Sequence, residues 1–159
     1  MSGGAHSFSM GVDLRGLEKY LDQLGDAAEE AALPACAAVA KVYYDAARAF
    51  VPRSLKSHYF YGKAYKTTKK RYGPYSPGTL QAAIYRVYSK DNSAPGKAVY
   101  HVSYNYHDAP YAHMVEFGTS HSAPHPFIRR AMYSQAVQKE ALDAGEAVLM
   151  AAIDKAAGK

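Results

Sequence analysis

The chain has 159 residues, 48% hydrophobic and 21% charged, which suits one folded domain with a core of its own and excludes a disordered polyelectrolyte. A net charge of +5 permits contact with nucleic acid or an acidic partner, but it is far from a histone-like excess. The single cysteine, Cys36, rules out an internal disulfide and fits folding in a reducing cytoplasm, and no apolar run reaches the roughly 18 residues that a membrane span needs.

The N-terminal MSGGAHSFSM lacks the basic start and apolar core of a secretory signal, so residues 1–11 read as a flexible terminus. Asp13 is placed to cap a first helix whose Leu14, Leu17, Leu21 and Leu24 form one apolar stripe, with Gly25 as its stop. A second, alanine-rich helix is expected from Asp26 to Val51, with Pro34 either kinking it or opening its regular part and Pro52 ending it. Its small residues suggest close approach to a neighbouring helix or sheet. Cys36 lies in this run, where a small buried hydrophobe is expected.

Residues 53–76 change character. They hold Arg53, Lys56, Lys63, Lys66, Lys69, Lys70 and Arg71 without one acid, interleaved with Tyr59, Tyr61, Tyr65, Tyr72 and Tyr75. Neither a period of 2 nor one of 3.6 holds through them, so they read as a long loop or an extended β-like arm, the most mobile part of the chain. Ser76-Pro77-Gly78-Thr79 then starts a short helical turn, and Ala83–Ser89 and Lys97–Tyr106 alternate as two antiparallel strands around a polar turn at 90–97. Asp108-Ala109-Pro110 starts a short helix that Gly118 ends, and Pro126 opens a last helix to about Ala156, leaving 155–159 as a flexible end. The whole is a single α+β domain: a small antiparallel sheet packed against long N- and C-terminal helices, with an extended basic arm.

Three constellations invite a functional reading. Within YAHMVEFGTSHSAPHPFIRRAM (111–132), Ala112, Val115 and Phe117 are expected to face inward, and Phe127 to anchor the last helix. A carboxylate at Glu116 opposes the dipole at its helix C-terminus, so it needs a partner such as a backbone N–H of the following loop or an arginine. Gly118 suits a sharp turn, Thr119 a local backbone hydrogen bond, and Pro124 and Pro126 stiffen the loop. The arm is the second: its cations suit phosphates or an acidic neighbouring subunit, and its tyrosines suit stacking on bases, while the plain alternative is a solvated loop.

His107, His113, His121 and His125, with Asp108 and Glu116 nearby, form the third, but their spacing matches no familiar zinc pattern. Loop or interface histidines are the expectation, with no metal and no cofactor. No nucleophile–base pair, phosphate-cradling glycine loop or clustered acids for magnesium is visible, so no catalytic residue is assigned and the chain is not expected to be an enzyme.

The order Tyr111-Ala112, Val115-Glu116-Phe117-Gly118-Thr119, Pro126-Phe127 and Ala131 resembles the signature of the neck and tail-completion (head–tail joining) proteins of long-tailed phages, the relatives of the lambda minor tail protein Z. Leu17 and Leu24 in an N-terminal helix, the alanine-rich helix ending at Pro52, and Gly78-Thr79-Leu80 before the first strand extend the resemblance over most of 12–135, with 111–131 its specific part. It implies a structural virion protein without catalytic residues, located in the tail or neck after synthesis in the host cytoplasm. Such a protein completes the tail or joins it to the head as a ring, hexameric by the sixfold symmetry of such tails. Its partners would be its own copies and other neck or tail proteins, with no membrane; in such a ring the basic arm could point into the channel and contact passing DNA non-specifically. On this resemblance Tyr111, Glu116, Phe117, Gly118, Thr119, Pro126 and Phe127 are the motif and interface residues. The basic stretch 53–76 is longer than the family's link at that place, so its role does not carry over; a free, non-specific DNA-binding module using it is the alternative.

Overall fold

The computed structural model describes residues 15–62 and 65–158. The expectations for residues 1–11, for Asp13 and Leu14, and for Lys63 lie outside these residues. The elements in chain order are α1 (Arg15–Phe50), β1 (His58–Phe60), α2 (Tyr65–Thr68), β2 (Tyr72–Tyr75), α3 (Thr79–Ala82), β3 (Ile84–Tyr88), a 3-10 turn (Lys90–Asn92), β4 (Tyr100–Tyr104), α4 (Ala112–Phe117), α5 (Ile128–Tyr133) and α6 (Gln135–Ala156). The architecture is α+β, with two separate two-stranded antiparallel sheets rather than one, β1–β2 and β3–β4.

The two N-terminal helices expected from the sequence are one. Gly25 lies inside α1 and does not take the positive φ that would turn the chain away. Strong helix formers flank it, and carrying a helix through one glycine costs about 1 kcal/mol, less than nucleating a second helix beyond it. Pro34 also lies within α1, without ending it. The last helix is divided instead. Ser134 adopts an extended conformation and separates α5 from α6. Its polar side chain favours such a cap position over a helix interior, and the Gln138 amide donates to the Met132 carbonyl at 2.7 Å, satisfying an end of α5.

The alanine content of α1 is explained by α6, which packs along it. At Gly145 of α6 a Cβ would stand 2.7 Å from Val39 Cγ2, so the two backbones approach more closely than side chains would allow. Ala31, Ala40, Val137 and Ala141 are buried in the same helical layers. Cys36 is half-buried, and its thiol donates to the Ala98 carbonyl at 3.3 Å, tying α1 to the chain leading into β4.

The sheet β3–β4 pairs Ile84 with Tyr104 through Tyr88 with Tyr100, the facing the alternation predicts. Ile84, Val102 and Tyr104 point into the core, while Arg86 reaches α1, where its Nη1 donates to the Ala37 carbonyl at 3.0 Å. Tyr85 and Val87, paired with Ser103 and His101, therefore occupy the opposite face. The core joins Ala47 and Val51 to Leu80, Ala83, Ile84, Ala109, Tyr111, Ala112, Phe127 and Ala131. Where a basic arm is expected, β1 and β2 form an irregular hairpin, with Phe60 and Tyr75 packed against this core.

Candidate functional site

Two sites stand out: the junction between α4 and α5, and the β1–β2 hairpin beside it. At the junction, Glu116 lies in the last turn of α4 and is only 2% exposed. Its carboxylate accepts three consecutive backbone N–H groups at the start of α5, from Phe127 at 2.7 Å, Ile128 at 3.1 Å and Arg129 at 2.9 Å. Arg129 Nε adds a fourth donor at 3.2 Å. One carboxylate thus satisfies the N–H groups that a helix leaves unpaired at its start and complements the positive end of its dipole. Burial alone would raise the Glu116 carboxyl pKa; the N–H groups of Phe127, Arg129 and Ile128, with the Arg129 guanidinium, outweigh it and hold the carboxyl below the ordinary range.

The residues around the latch are fixed by it. Phe127 is fully buried, its ring 6.0 Å from that of Tyr104. Gly118 has φ 77°, and a Cβ there would meet Pro124 N at 2.8 Å and the Ser122 carbonyl oxygen at 2.9 Å, so only glycine fits. Thr119 closes the turn: its N–H donates to the Ser122 carbonyl at 2.9 Å, and its hydroxyl accepts the His121 N–H at 3.2 Å. Pro126 is half-buried ahead of Phe127, and helical structure begins at Ile128 rather than at the proline. The His125 N–H donates to the Val115 carbonyl at 2.8 Å, tying the loop back onto α4.

Phe117 departs from its expected place. It is 63% exposed instead of packed inward, and the Arg129 guanidinium lies over its ring at 4.6 Å. The reason is helical geometry: Glu116 takes the inward position to reach α5, and its neighbour, a hundred degrees around the helix, must face out. Arg129 therefore holds both residues of the Glu-Phe pair. The sequence pointed to an arginine as a partner without naming it; the signal was the dipeptide Arg129-Arg130, one residue after the Pro126-Phe127 anchor.

Tyr111 links the two sites. It is buried, with its ring edge-on to His58 of β1 at 4.8 Å and to Tyr75 of β2 at 5.0 Å. Burial, with a smaller contribution from Tyr75, raises its phenol above the ordinary tyrosine value. His58 shares the hairpin's contact with the motif with Tyr75, a role that no spacing in the sequence signals. Because strand side chains alternate, Phe60 lies on the same inner face as His58, and Tyr59 points outward.

In the segment joining β1 to β2 Lys69, Lys70 and Arg71 follow one another, each over a tyrosine ring: Lys69 over Tyr65 of α2 at 5.8 Å, Lys70 over Tyr72, which pairs with Phe60, at 5.4 Å, and Arg71 over the outward Tyr59 at 4.2 Å. Lys66 is exposed on α2 close by in sequence. Arg53 and Lys56 are not part of this row. They precede the hairpin, where Arg53 bonds to Gln81 of α3 and Lys56 is exposed.

Between Val51, β1, α3 and α4 lies an open cleft of about 490 Å³ that includes His58, Tyr111, Thr119 and His125 and no carboxylate. His107, His113, His121 and His125 are all exposed. His107 and His113 flank the Tyr106 ring, and no group of three metal-ligating side chains comes together among the described residues. No helix among those residues is long and apolar enough to cross a membrane. Neither family models, curated proteins nor solved structures yield a match to this chain.

Proposed function

We propose that this is a structural virion protein of the neck or tail end of a long-tailed phage, which completes the tail or joins it to the head as one subunit of a closed ring. It acts by binding and carries out no reaction. A head-to-tail ring needs two unlike patches on each subunit, because the face that meets one neighbour differs from the face that meets the other.

The observation that carries this reading is the presence of two unlike apolar surfaces on a rigid frame. One is the uncovered face of β3–β4, with Tyr85 and Val87 exposed on it. The other is the latched junction with the helix that follows it: Phe117 (63% exposed) stands in solvent next to the buried Glu116, and Met132 (52% exposed) and Tyr133 (74% exposed) are exposed at the end of α5. Aromatic residues and methionine on rigid elements are what interface cores favour. The residue order from Tyr111 to Ala131, similar to that of the neck and tail-completion proteins, agrees with this.

A genetic complementation tests it. A phage whose copy of this gene is disrupted should give unjoined heads and tails, or tails of uncontrolled end structure, and the protein supplied in trans should restore infectious particles. Normal particle yield without the protein would sink the proposal.

A further inference from the structure

We infer that the basic segment Lys66–Arg71, which joins β1 to β2, is a binding site for the phosphodiester backbone of duplex nucleic acid, independent of base sequence. The inference stands without the ring reading, because it rests on the hairpin alone.

The geometry changes what the tyrosines do. Free aromatic faces would make a platform for unpaired bases. Here one face of each of Tyr59, Tyr65 and Tyr72 is taken by Arg71, Lys69 and Lys70. Each ring is a pedestal that holds a cation at a set place. A pedestal reduces the side-chain freedom that a lysine or arginine loses when it meets an anion, which is the usual cost of such a contact. It also leaves the ammonium or guanidinium N–H groups toward solvent, where they suit phosphate oxygens.

Three further observations point to phosphate. Residues 53–76 hold no acid, and no carboxylate pairs with Lys66, Lys69, Lys70 or Arg71 among the described residues. The cations are thus available to an external anion. Lysine is depleted at protein–protein interfaces, so three lysines and an arginine fit a polyphosphate better than an acidic protein face. The two strands that carry the segment are also anchored, through His58 and Tyr75 on Tyr111 and through Phe60 on the core, so the cations are held on a fixed base. Arg71, whose guanidinium could fork onto a guanine edge, is held over the Tyr59 ring, so the row is expected to contact phosphates and to be blind to sequence.

Fluorescence anisotropy of the full chain with labelled oligonucleotides tests this. Two unrelated duplexes should bind with the same affinity. With four cations engaged, log K should fall against log salt with a slope of about −3 to −4. The triple variant Lys69→Gln/Lys70→Gln/Arg71→Gln, checked for folding by circular dichroism, should bind at least about tenfold more weakly and lose about 3 from the magnitude of that slope. Tyr59→Leu should weaken binding while leaving the slope unchanged, since it removes a pedestal and no charge.

No binding at low salt, or full binding by the triple variant, overturns the inference. Tighter binding of single strands than of duplexes overturns it in favour of base stacking. Equal binding of polyglutamate overturns it in favour of an acidic protein surface, a second copy of this chain included.

Discussion

The carboxylate of Glu116, at the end of α4, accepts the backbone N–H of Phe127 at 2.7 Å, and with it the next two N–H groups of the chain. The same residue that would be misplaced at the end of its own helix, where a negative charge opposes the dipole, is well placed at the start of the next one. Removing it tests the latch. Glu116→Ala leaves buried N–H groups and the Arg129 side chain without their acceptor, and should destabilise the fold by about 2–4 kcal/mol. Glu116→Gln keeps an acceptor without its charge and should cost about half as much. Urea unfolding of the three proteins measures both, and equal stability of wild type and Glu116→Ala would refute the latch.

The latch also sets a pH dependence. The Glu116 carboxyl is held below its ordinary value in the folded chain. Its contribution is therefore complete above the unfolded value, about 4.3, and is lost as pH falls through the lower folded value. The stability difference between wild type and Glu116→Gln should be constant from pH 7 to about 5 and shrink below about 4. A difference that grows on acidification would reverse the assignment.

The two phenylalanines of the motif should behave oppositely. Phe127 is fully buried, so Phe127→Ala should cost about 3–5 kcal/mol. Phe117 is exposed beneath Arg129, so Phe117→Ala should cost less than about 1 kcal/mol and leave a folded chain whose assembly is impaired. Thermal unfolding separates the two, and comparable losses would mean that Phe117 is part of the core after all.

That contrast shows how far the sequence could be read. The alternation of β3 and β4, the stops at Pro52 and Gly118, and the need of Glu116 for a backbone or arginine partner follow from local rules, and the structure agrees with them. What local rules could not give was set by distant packing. Gly25 and Pro34 read as punctuation, yet α1 runs through both, with α6 packed along it. Ser134 looked like one residue of a long helix and is the break between two. Phe117 and Glu116 are adjacent, and which of them faces inward was decided by the position of α5, eleven residues on. The hairpin had no clean period because its inward side chains, His58, Phe60 and Tyr75, are spaced by an irregular register.

Close packing of the long helices can be tested at Gly145. A Cβ there stands 2.7 Å from Val39 Cγ2. The clash should outweigh the roughly 1 kcal/mol that alanine gains over glycine in a helix, so Gly145→Ala should be net destabilising. Val39→Ala in the same chain should relieve the added cost, and a double-mutant cycle by urea unfolding should show coupling. Strict additivity would mean that the helices can shift apart.

Assembly should depend on the outer face of β3–β4. Tyr85→Ser with Val87→Asp alters side chains that stand in solvent in the isolated chain, so folding stability should change by no more than about 1 kcal/mol. Oligomers of the wild type, seen by light scattering behind size exclusion, should fall to monomers. An unchanged mass distribution would remove this face from the interface.

The most direct measurement is a cryo-EM reconstruction of the neck and tail end of purified particles from a phage encoding this chain. The expected result is a closed ring around the channel. Each subunit should be recognisable by the paired helices Arg15–Phe50 and Gln135–Ala156, with the β3–β4 face against one neighbour and Phe117, Met132 and Tyr133 against the other. Particles that contain no copy of the chain, or that hold it away from the tail axis, would contradict a structural role in the neck or tail.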